Sequence, residues 1–507
     1  MIKIIVNNVW SRISGFNDVE IVDSLDKIMS FYVEGYQFTK AFVNGWYDKK
    51  EDKFKHWDGK RHLLTNKMVF PTGLLHRVKK FCKLYNLEYE VVDQRPEIKF
   101  GEEIPIKNFI PRDYQTEIVD AVLKNGTGMI RSATGSGKTL VAAMIVAKFN
   151  IPTNIYVIGK DLLYQFHKYM EKTLGMEVGI IGDGHCEIRK FNVCSIWTAI
   201  TSFGLKQKIS LDDEDWAPET FSVSNDQKIK IKNLIENTNL SIFDEAHYLA
   251  TDTIQSIYKI SKKCKYFIGL SGTLWRDDGA DLLLESVCGP KIYDIGASKL
   301  IDKGYLVPAK ITFLNVPKIN NLSNNYQSIY SKYIVKNDVR NKMIVDSARH
   351  LININRSVLI LVRYISHGNA IAKMMSDIPL FFVNGDLGGE ERQEVKKSFE
   401  AGELKCLIAS SVFDIGVDIP KLDALILAGG GKSTVRALQR IGRVIRGFEG
   451  KKDAIVVDFI DNAKYLIKHS GIRISVYETE PKFIIKFPKG FDSTKIKRYE
   501  KIKDRVK

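Results

Sequence analysis

Short apolar segments rich in β-branched residues alternate with longer amphipathic segments in two separate regions of this 507-residue chain. The apolar segments of the first region are 127–130, 155–159, 192–196, 240–243 and 266–270, and those of the second are 357–362, 380–383, 405–410, 424–428 and 453–457. Such alternation is typical of βαβ units that build a parallel sheet. The sequence therefore predicts an α/β protein with two tandem parallel-sheet lobes, each of about the size of one domain.

The remaining segments indicate a small additional domain and a tail. Residues 1–100 predict an α+β unit, in which 1–10 alternates like a strand, 69–73 forms a turn and 74–85 has helical spacing. A polar, acid-rich stretch at 203–232 interrupts the first α/β region and is interpreted as a surface insertion. We therefore expect a small N-terminal α+β domain at 1–100, the first lobe at 101–308, the second lobe at 309–470 and a basic C-terminal extension at 471–507.

Positive charge is concentrated near the two ends of the chain. The formal net charge is +16, from 76 Lys and Arg against 60 Asp and Glu. Residues 49–83 hold eleven basic and three acidic residues, and residues 482–507 hold ten and three, so these two segments carry almost all of the excess. This distribution favours a polyanionic partner such as nucleic acid, with a solvated basic surface as the alternative.

Composition and short motifs exclude several classes of protein. Apolar residues make up 44% and charged residues 27%, as in ordinary globular proteins. Apolar stretches such as 358–362 are far shorter than the ~20 residues of a membrane helix, and 1–10 lacks the features of a secretory signal. The six cysteines contain no C-x-x-C pair, which argues against a zinc site and a disulfide framework. We therefore expect a monomeric, cytoplasmic protein without a membrane segment.

A glycine-containing loop at 132–139 lies between a predicted strand and a predicted helix at 140–149. It fits the pattern G-x-x-x-x-G-K-[ST], except that Ser132 occupies the position of the first glycine. Gly135 and Gly137 allow the backbone to wrap an anion, and the helix N-terminus adds a favourable field. Lys138 would reach the β- and γ-phosphates, and the Thr139 hydroxyl would bind magnesium. The segment therefore predicts a nucleoside triphosphate site, with a chance match as the alternative.

A second candidate element is the apolar segment 240–247, which contains two neighbouring carboxylates. Asp244 would bind magnesium directly or through water, and Glu245 would polarise the attacking water as general base. An acidic helix N-terminus after a strand is the alternative, which the phosphate loop 106 residues earlier disfavours. His247 is interpreted as a relay between the nucleotide and the next motif.

These two elements resemble motifs I and II of the superfamily 2 helicases, and further motifs of that family follow in the expected order. Residues 112–115 resemble the adenine-reading segment of the family. The other matching segments are 160–165 for motif Ia, 193–198 for motif Ib, 270–279 for motif III, 358–368 for motif IV, 409–420 for motif V and 439–446 for motif VI. The sequence departs from the family at Ile158 and Gly159, where Pro-Thr is usual, and at Ser410, where Thr is commoner. The resemblance spans 109–460 and implies two RecA-like lobes that use ATP and Mg²⁺.

Two features indicate which helicases within superfamily 2 the chain resembles most. The extension of motif III at 276–278 is similar to that of the XPB-like and phage branch-migration enzymes. Segments 34–38, 56–61 and 71–82 resemble the small N-terminal domain of the UvsW-type phage helicases, whereas 47–56 departs from that pattern. Among the aromatic residues of this basic region, Phe54 and Trp57 are candidates for stacking on exposed bases, and a core position is favoured for Phe81.

The resemblance also implies roles for individual residues. Catalysis would involve Lys138, Asp244, Glu245, Arg443 and Arg446, the two arginines acting as arginine fingers from one helix of the second lobe. The nucleotide would be bound by Arg112, Gln115, Thr134, Gly135, Ser136, Gly137, Lys138, Thr139, Gly416, Asp418 and Gln439, and Mg²⁺ by Thr139 and Asp244. Nucleic acid would contact Lys160, Gln165, Ser195, Trp197, Arg363 and Ser410, together with Lys60 and Arg61 of the N-terminal domain. Coupling of hydrolysis to movement would depend on His247, Ser271 and Thr273.

The leading interpretation is an ATP-dependent DNA helicase or translocase that acts on branched DNA, namely forks, Holliday junctions and R-loops, in replication, recombination and repair. The alternatives are an RNA helicase, a nucleic-acid-binding module switched by ATP, and the motor subunit of a restriction system. If the chain is of phage origin, the expected location is the host cytoplasm.

Overall fold

The computed structural model describes residues 1–16, 18–48, 51–204, 223–247, 252–273, 281–318, 325–384, 389–410, 421–431 and 434–499. These residues form two compact units. The first contains Met1–Arg131 and the described positions from 137 to 294, and the second contains Ser132–Ser136 and the described positions from 295 onward. No described helix has the length and hydropathy needed to cross a membrane.

The first unit begins with a small α+β region. Its elements are β1 (Ile2–Val6), β2 (Trp10–Ser14), α1 (Val19–Ile28), β3 (Ser30–Tyr32), a 3₁₀ turn (Tyr36–Phe38), α2 (Lys40–Val43), β4 (Trp46–Asp48), β5 (Lys53–Lys55), β6 (Lys60–His62), β7 (Val69–Pro71), a 3₁₀ turn (Thr72–Leu74), α3 (Leu75–Leu84) and β8 (Tyr89–Asp93). One four-stranded sheet has the order β7-β2-β1-β8, and β3-β6 and β4-β5 form two separate pairs. Alternate residues of β1 are buried with Val78 and Phe81 of α3, so Phe81 is a core residue as predicted.

The large sheet of the first unit has eight strands in the order β12-β11-β13-β10-β14-β15-β9-β16. The elements are α4 (Asp113–Asn125), β9 (Gly128–Ser132), α5 (Lys138–Phe149), β10 (Thr153–Val157), α6 (Lys160–Leu174), β11 (Gly179–Gly182), β12 (His185–Glu187), β13 (Phe191–Ser195), α7 (Ile196–Ser202), α8 (Asn225–Asn237), β14 (Leu240–Asp244), α9 (Asp252–Ile260), β15 (Tyr266–Ser271), α10 (Asp281–Cys288) and β16 (Lys291–Ile295). Every residue of β10, β13 and β14 is buried, as expected for parallel strands covered on both faces.

The second unit contains a seven-stranded sheet in the order β19-β20-β18-β21-β22-β17-β23, and its strand pairs are parallel. The elements are α11 (Ala297–Asp302), β17 (Ala309–Val316), α12 (Tyr326–Tyr330), a π-helical turn (Ser331–Val335), α13 (Asp338–Asn353), β18 (Val358–Leu361), α14 (Ile365–Met374), β19 (Leu380–Val383), α15 (Gly389–Ala401), β20 (Cys406–Ala409), β21 (Ala424–Ile426), α16 (Thr434–Val444), β22 (Ala454–Asp461), α17 (Leu466–Tyr477), β23 (Ile484–Lys486) and a 3₁₀ turn (Ser493–Lys495). The eight-stranded sheet is parallel in most of its pairs, with β12 added antiparallel to β11. The two sheets confirm the predicted α/β class.

One local prediction is wrong because a tertiary contact decides the structure there. Residues 69–71 form the strand β7 and not a turn, since Phe70 pairs with Ser11 of β2 and is fully buried. The predicted surface insertion contains the start of α8, where Ser224 and Gln227 form a capping box and Ile231 is buried. Residues 205–222 of that segment lie outside the described residues.

The C-terminal residues are folded onto the second unit. The boundary expected at residue 470 falls within α17, and β23 from the expected extension pairs with β17 as the edge strand of the sheet. Arg473 of α17 holds this helix to β22, because its guanidinium donates to both carboxylate oxygens of Asp458 at 2.8 to 3.2 Å.

The small N-terminal region packs against α10 of the same unit through an ion pair. Arg77 on α3 donates to both carboxylate oxygens of Glu285, at 2.6 and 2.8 Å, and His76 Nε2 lies 3.2 Å from the same carboxylate. Burial alone would raise the pKa of Glu285, but the hydrogen bonds from Arg77 and His76 lower it to about 2. The ion pair is therefore formed at neutral pH.

Backbone contacts complete this packing. A Cβ at Gly73 would collide with the carbonyl oxygens of Glu285 and Ser286, so only glycine allows the 3₁₀ turn to lie this close to α10. The buried Tyr258 hydroxyl of α9 donates to the carbonyl of Val9 at 2.5 Å. The small sheet and the large sheet of the first unit are thus joined by several independent contacts.

We predict that Arg77→Met lowers the free energy of unfolding of the first unit by about 2 kcal/mol at neutral pH, because Glu285 then lacks its main counter-charge. The value is modest because one third of the Arg77 side chain is exposed and solvent screens the pair. Since the folded pKa of Glu285 lies below its unfolded value of about 4.3, the contribution is present above that value and is lost as the pH falls towards 2.

Urea unfolding followed by circular dichroism at pH 7 and pH 2.5 measures this effect. The matched control is Lys80→Met, which removes an exposed positive charge from the same helix. A loss of stability of equal size at both pH values, or one no greater than that of the control, would contradict the assignment.

Candidate functional site

The phosphate loop follows a buried strand directly and ends at the first residue of a helix. β9 ends at Ser132 and α5 begins at Lys138. Gly135 and Gly137 adopt φ values of +87° and +79°, in the left-handed region that favours glycine. Ser132 Oγ donates to Ser136 Oγ at 2.6 Å, so the serine at the first position of the motif braces the loop from within.

Gln115 lies beside this loop in the first unit. Its side-chain carbonyl accepts a hydrogen bond from the backbone N–H of Arg112 at 2.9 Å. Its amide nitrogen lies so close to Gly137 that a Cβ at that glycine would approach it to 2.6 Å. Arg112 in turn donates from Nη1 to the hydroxyl of Tyr114 at 3.1 Å. The structure therefore brings the predicted adenine-reading segment to the phosphate loop.

The two acidic residues that follow the apolar part of β14 have different surroundings. Glu245 has a φ of +49°, which is uncommon for a residue with a side chain. Its Oε1 atom lies 3.7 Å from Nζ of Lys138, and its Oε2 atom lies 3.3 Å from Oγ of Ser271 and 3.4 Å from Nδ1 of His247. A backbone in a sparsely populated conformation thus directs this carboxylate to three predicted site residues.

The pKa values of the two carboxyl groups move in opposite directions. Burial raises the pKa of Asp244, and the neighbouring Glu245 raises it further. Burial alone would also raise the pKa of Glu245, but the Lys138 ammonium and the His247 side chain lower it to about 2. Glu245 is therefore the ionised member of the pair at neutral pH and is able to accept hydrogen bonds from water.

Ser271 connects the acidic pair to the end of the described part of motif III. His247 Nδ1 lies 3.0 Å from Ser271 Oγ. Ser271 Oγ also lies 2.6 Å from the carbonyl of Thr273 and accepts from the N–H of Thr273 at 3.2 Å. All three residues are buried. The structure therefore brings the three predicted coupling residues together beside Glu245.

The side chains available for a divalent cation are those of Asp244 and Thr139. Oδ1 of Asp244 is buried and has no hydrogen-bond partner among the described residues, and Thr139 is half-buried in the first turn of α5. The described part of the chain holds no group of three or more His, Cys, Asp or Glu side chains that could form a metal cage. One or two protein oxygens completed by phosphates and waters suit Mg²⁺, so these residues fit that ion.

The predicted arginine fingers lie in the second unit on either side of a helix end. Gln439 and Arg443 are half-buried residues of α16. Arg446 lies beyond the last residue of α16 and forms an antiparallel bridge with Leu306. The expectation that both arginines belong to one helix is therefore wrong. The helix ends early because the Lys451 ammonium binds carbonyl oxygens at the C-terminus of α16. The backbone that follows pairs with Leu306 instead of continuing the helix.

The predicted nucleic-acid contacts of the large sheet in the first unit differ in exposure. Lys160 at the start of α6 forms an ion pair with Asp183 at 2.7 Å, and Gln165 of the same helix is exposed. Ser195 is buried before the first turn of α7, in which Trp197 is half-buried. Lys160 and Gln165 therefore present side chains to solvent, whereas Ser195 does not.

In the second unit Arg363 lies near two aromatic rings. Its guanidinium carbon is 5.5 Å from the ring centroids of both Tyr330 and Tyr364. Ser410 follows β20 and is buried. Gly416 and Asp418 of motif V lie outside the described residues, so their roles stay predictions.

Two residues that the sequence did not single out contact predicted site residues. Asp183 accepts a hydrogen bond from Tyr164 at 2.6 Å in addition to its ion pair with Lys160. Lys451 binds the carbonyl of Arg446 at 3.1 Å. In the sequence, Asp183 lies in a Gly-Asp-Gly turn at 182–184 and Lys451 in a Gly-Lys pair at 450–451. Neither pattern is specific enough to predict a functional residue.

Three family models match the chain in succession. Residues 8–93 match the family described as "DNA helicase UvsW, N-terminal", residues 108–276 the "Type III restriction enzyme, res subunit", and residues 341–447 the "Helicase conserved C-terminal domain". The matches cover the small N-terminal region, the phosphate loop with the acidic strand, and the segment with the two arginines.

Comparison with known proteins gives similarity along most of the chain. The ATP-dependent DNA helicase uvsW of Enterobacteria phage T4 is 26% identical over 505 residues, which is 90% of this chain and 93% of that protein. The DNA 3'-5' translocase XPB2 of Sulfurisphaera tokodaii is 26% identical over 419 residues, which is 75% of this chain and 86% of that protein.

A solved structure supports the fold. S. cerevisiae Dbp5 bound to RNA and ADP BeF3 superimposes with a TM-score of 0.51 over 79% of this chain and 94% of that chain, at 16% identity. This similarity extends over both α/β units. That similarity concerns the fold alone. The ordered family matches and the relatives support a superfamily 2 helicase of the UvsW and XPB type.

Proposed function

We propose that this chain is an ATP-dependent DNA helicase or translocase that acts on branched DNA, such as forks, Holliday junctions and R-loops. The observation that carries the proposal is the position of the Glu245 carboxylate, which contacts Lys138 of the phosphate loop and Ser271 of motif III. A residue that senses both the phosphates and the coupling segment is what a motor requires, because hydrolysis has to change the conformation of the protein.

The chemistry follows from the charges in the first unit. A bound triphosphate offers the Lys138 ammonium a stronger counter-charge than a single carboxylate, so Lys138 would turn to the β- and γ-phosphates. Glu245 would then accept the proton of the attacking water as general base. Asp244 and Thr139 would hold Mg²⁺, which neutralises phosphate charge.

Arg443 and Arg446 of the second unit would act on the same nucleotide during hydrolysis. Loss of the γ-phosphoryl group spreads negative charge over three oxygens, and an arginine that stabilises this charge is worth about 10³–10⁵ in rate. Gln439 precedes both arginines in the chain and lies on α16. Binding and release of ATP would then alternate the grip of the two units on nucleic acid. Because these contacts would go to the phosphate backbone, we expect little sequence specificity.

The proposal of DNA as substrate rests on the names of the full-length relatives and on the N-terminal match. UvsW of phage T4 and XPB2 of S. tokodaii are both named as DNA enzymes. The family described for 108–276 is a restriction subunit, which favours a motor in a restriction system as second candidate. The match of 8–93 to the UvsW N-terminal family favours the first. We propose a monomer as the active form.

We predict that Lys138→Ala lowers the rate of ATP hydrolysis by at least about 100-fold, because the phosphates lose a preorganised positive charge. DNA binding without nucleotide should stay within about twofold of the unaltered protein. Hydrolysis is measured by phosphate release, and Lys148→Ala on the same helix is the matched control, since that residue pairs with Glu103 at the surface. Hydrolysis by Lys138→Ala at the unaltered rate would refute the assignment of the loop.

The substrate is tested by measuring ATP hydrolysis with single-stranded DNA, duplex DNA, forks, four-way junctions and RNA at equal nucleotide concentration. We expect the forks and four-way junctions to stimulate hydrolysis most, at least several-fold more than RNA. Greater stimulation by RNA would favour the RNA helicase, and stimulation only in the presence of a partner chain would favour a restriction motor.

A further inference from the structure

The hairpin formed by β4 and β5 carries aromatic side chains on both of its faces. Tyr47 lies opposite Phe54 in the antiparallel register, and Trp46 lies opposite Lys55. Directly opposed residues share a face, whereas successive residues along a strand point to opposite faces. One face therefore carries Tyr47 and Phe54, and the other face carries Trp46 with Lys55.

These aromatic rings are exposed to an unusual extent. The exposed fractions are 45% for Trp46, 54% for Tyr47 and 60% for Phe54. Clustered exposure of large apolar side chains marks an interaction surface more often than scattered single ones do. Most of the hairpin lies within 47–56, where the sequence departs from the UvsW-type pattern.

The hairpin keeps its shape through contacts within itself. Lys55 forms ion pairs with Asp48 at 2.9 Å and Glu51 at 2.8 Å, and the Tyr47 hydroxyl donates to Asp52. Gly45, at a φ of +67°, lets the chain enter the hairpin against the backbone of Lys55. The rings are therefore presented by a braced element, which lowers the entropy cost of binding a partner.

The charge around the hairpin indicates the class of partner. Residues 49–83 carry eleven Lys and Arg against three Asp and Glu. Lys60 of β6 lies 5.1 Å above the ring of Tyr32, which is itself 54% exposed. Cations interleaved with exposed aromatic rings suit a ligand that is both anionic and aromatic, and single-stranded nucleic acid is such a ligand.

We propose that the β4–β5 hairpin stacks its aromatic rings on nucleobases that are unpaired where DNA strands diverge. This inference rests on the proposed function and names the part of the substrate that the N-terminal region binds. Rings on both faces allow the hairpin to stand between two strands, with Trp46 towards one and Tyr47 and Phe54 towards the other. Fully paired duplex offers no free base faces, so the hairpin distinguishes branched from continuous DNA.

The test compares Trp46→Ala and Tyr47→Ala with the unaltered full chain, in binding to a fork with unpaired arms and to a blunt duplex. Base–aromatic stacking predicts a roughly 5- to 150-fold weaker affinity for the fork per ring removed, and little change for the duplex. Stacking releases no counterions, so the slope of log affinity against log salt should stay unchanged, whereas Lys60→Ala should reduce it by about one.

Matched variants separate this proposal from a folding defect. Trp46→Phe should keep most of the affinity, and Tyr85→Ala, which removes another exposed aromatic ring from the same region, should keep all of it. Unaltered fork binding by both hairpin variants would overturn the proposal and point to a protein partner for the rings. The proposed function fails separately, if no DNA stimulates ATP hydrolysis by the unaltered protein.

An independent observation concerns the end of α16. The ammonium group of Lys451 lies against three backbone carbonyl oxygens, those of Leu422 at 2.6 Å, Arg446 at 3.1 Å and Val444. An ammonium has three N–H donors, so each donor of Lys451 has a carbonyl acceptor. Its position fixes both the end of the helix that carries Arg443 and the backbone of Arg446 itself.

We infer that Lys451 is a positioning residue for Arg446. This second inference also rests on the proposed function, in which Arg446 acts on the transition state. The carboxylates near the Lys451 ammonium form ion pairs with other cations. Asp453 pairs with Lys310 and, at 2.7 Å, with Arg356, and Arg356 also lies 3.7 Å from Asp423. Burial lowers the pKa of Lys451 to about 8, although Asp423 opposes the shift. Above that pH the neutral amine has one donor fewer.

The test measures kcat and KM for ATP across pH 6.5–9.5 with saturating branched DNA. Lys451→Met should lower kcat about tenfold or more with little change in KM, because Arg446 acts in the transition state and not in ground-state binding. The unaltered protein should lose activity above pH 8, and Lys451→Arg, which stays charged, should remove that decline. Lys452→Met, an exposed neighbour, is the control.

A double variant distinguishes positioning from general destabilisation. Adding Lys451→Met to Arg446→Ala should cause no further loss of kcat if Lys451 acts through Arg446. Additive losses, or an alkaline decline that Lys451→Arg leaves unchanged, would overturn the inference.

Discussion

Two consecutive carboxylates at the buried end of β14 cannot both be charged without a nearby cation. Lys138 supplies that cation, and Glu245 takes the charge because Lys138 and His247 lie on its side. The phosphate loop and the acidic strand are therefore electrostatically dependent on one another. A ligand that draws the ammonium of Lys138 away changes the state of Glu245, and through Ser271 the change reaches the segment that follows β15.

The same unit also contains the small N-terminal region, which is fastened to α10. This helix is the first described element after Thr273, and its Glu285 accepts both hydrogen bonds from Arg77. Lys138, Glu245 and Ser271, which we propose respond to the nucleotide, and the region with the exposed aromatic hairpin thus belong to one compact unit. A force applied to the hairpin by DNA would be borne by the sheet that carries the phosphate loop.

Much of the fold follows from local sequence because the central strands are buried on both faces. The predicted segment 240–243 agrees closely with β14, 405–410 contains β20, and 192–196 is displaced from β13 by one residue. β7 and β23 escaped prediction because three-residue strands have little pattern of their own and depend on their partners β2 and β17.

The candidate site also contains residues that local sequence predicts and residues that only the folded structure reveals. The phosphate loop and the acidic pair are each a short continuous segment, so residue spacing alone predicts Lys138, Asp244 and Glu245 as site residues. Lys451 lies outside motif VI, five residues after Arg446. Only the folded backbone shows which carbonyl oxygens it binds. The end of α16 before Arg446 likewise depends on the bridge to Leu306, which no periodicity reveals.

The two ion pairs of Lys55 that brace the β4–β5 hairpin join residues of the hairpin to each other. The two strands pair only with one another among the described strands, so substitutions there leave the strand pairs of the larger sheets in place. Under the proposal that the hairpin stacks on unpaired bases, substitutions in this element would change the substrate preference and leave the phosphate loop and the acidic pair as they are.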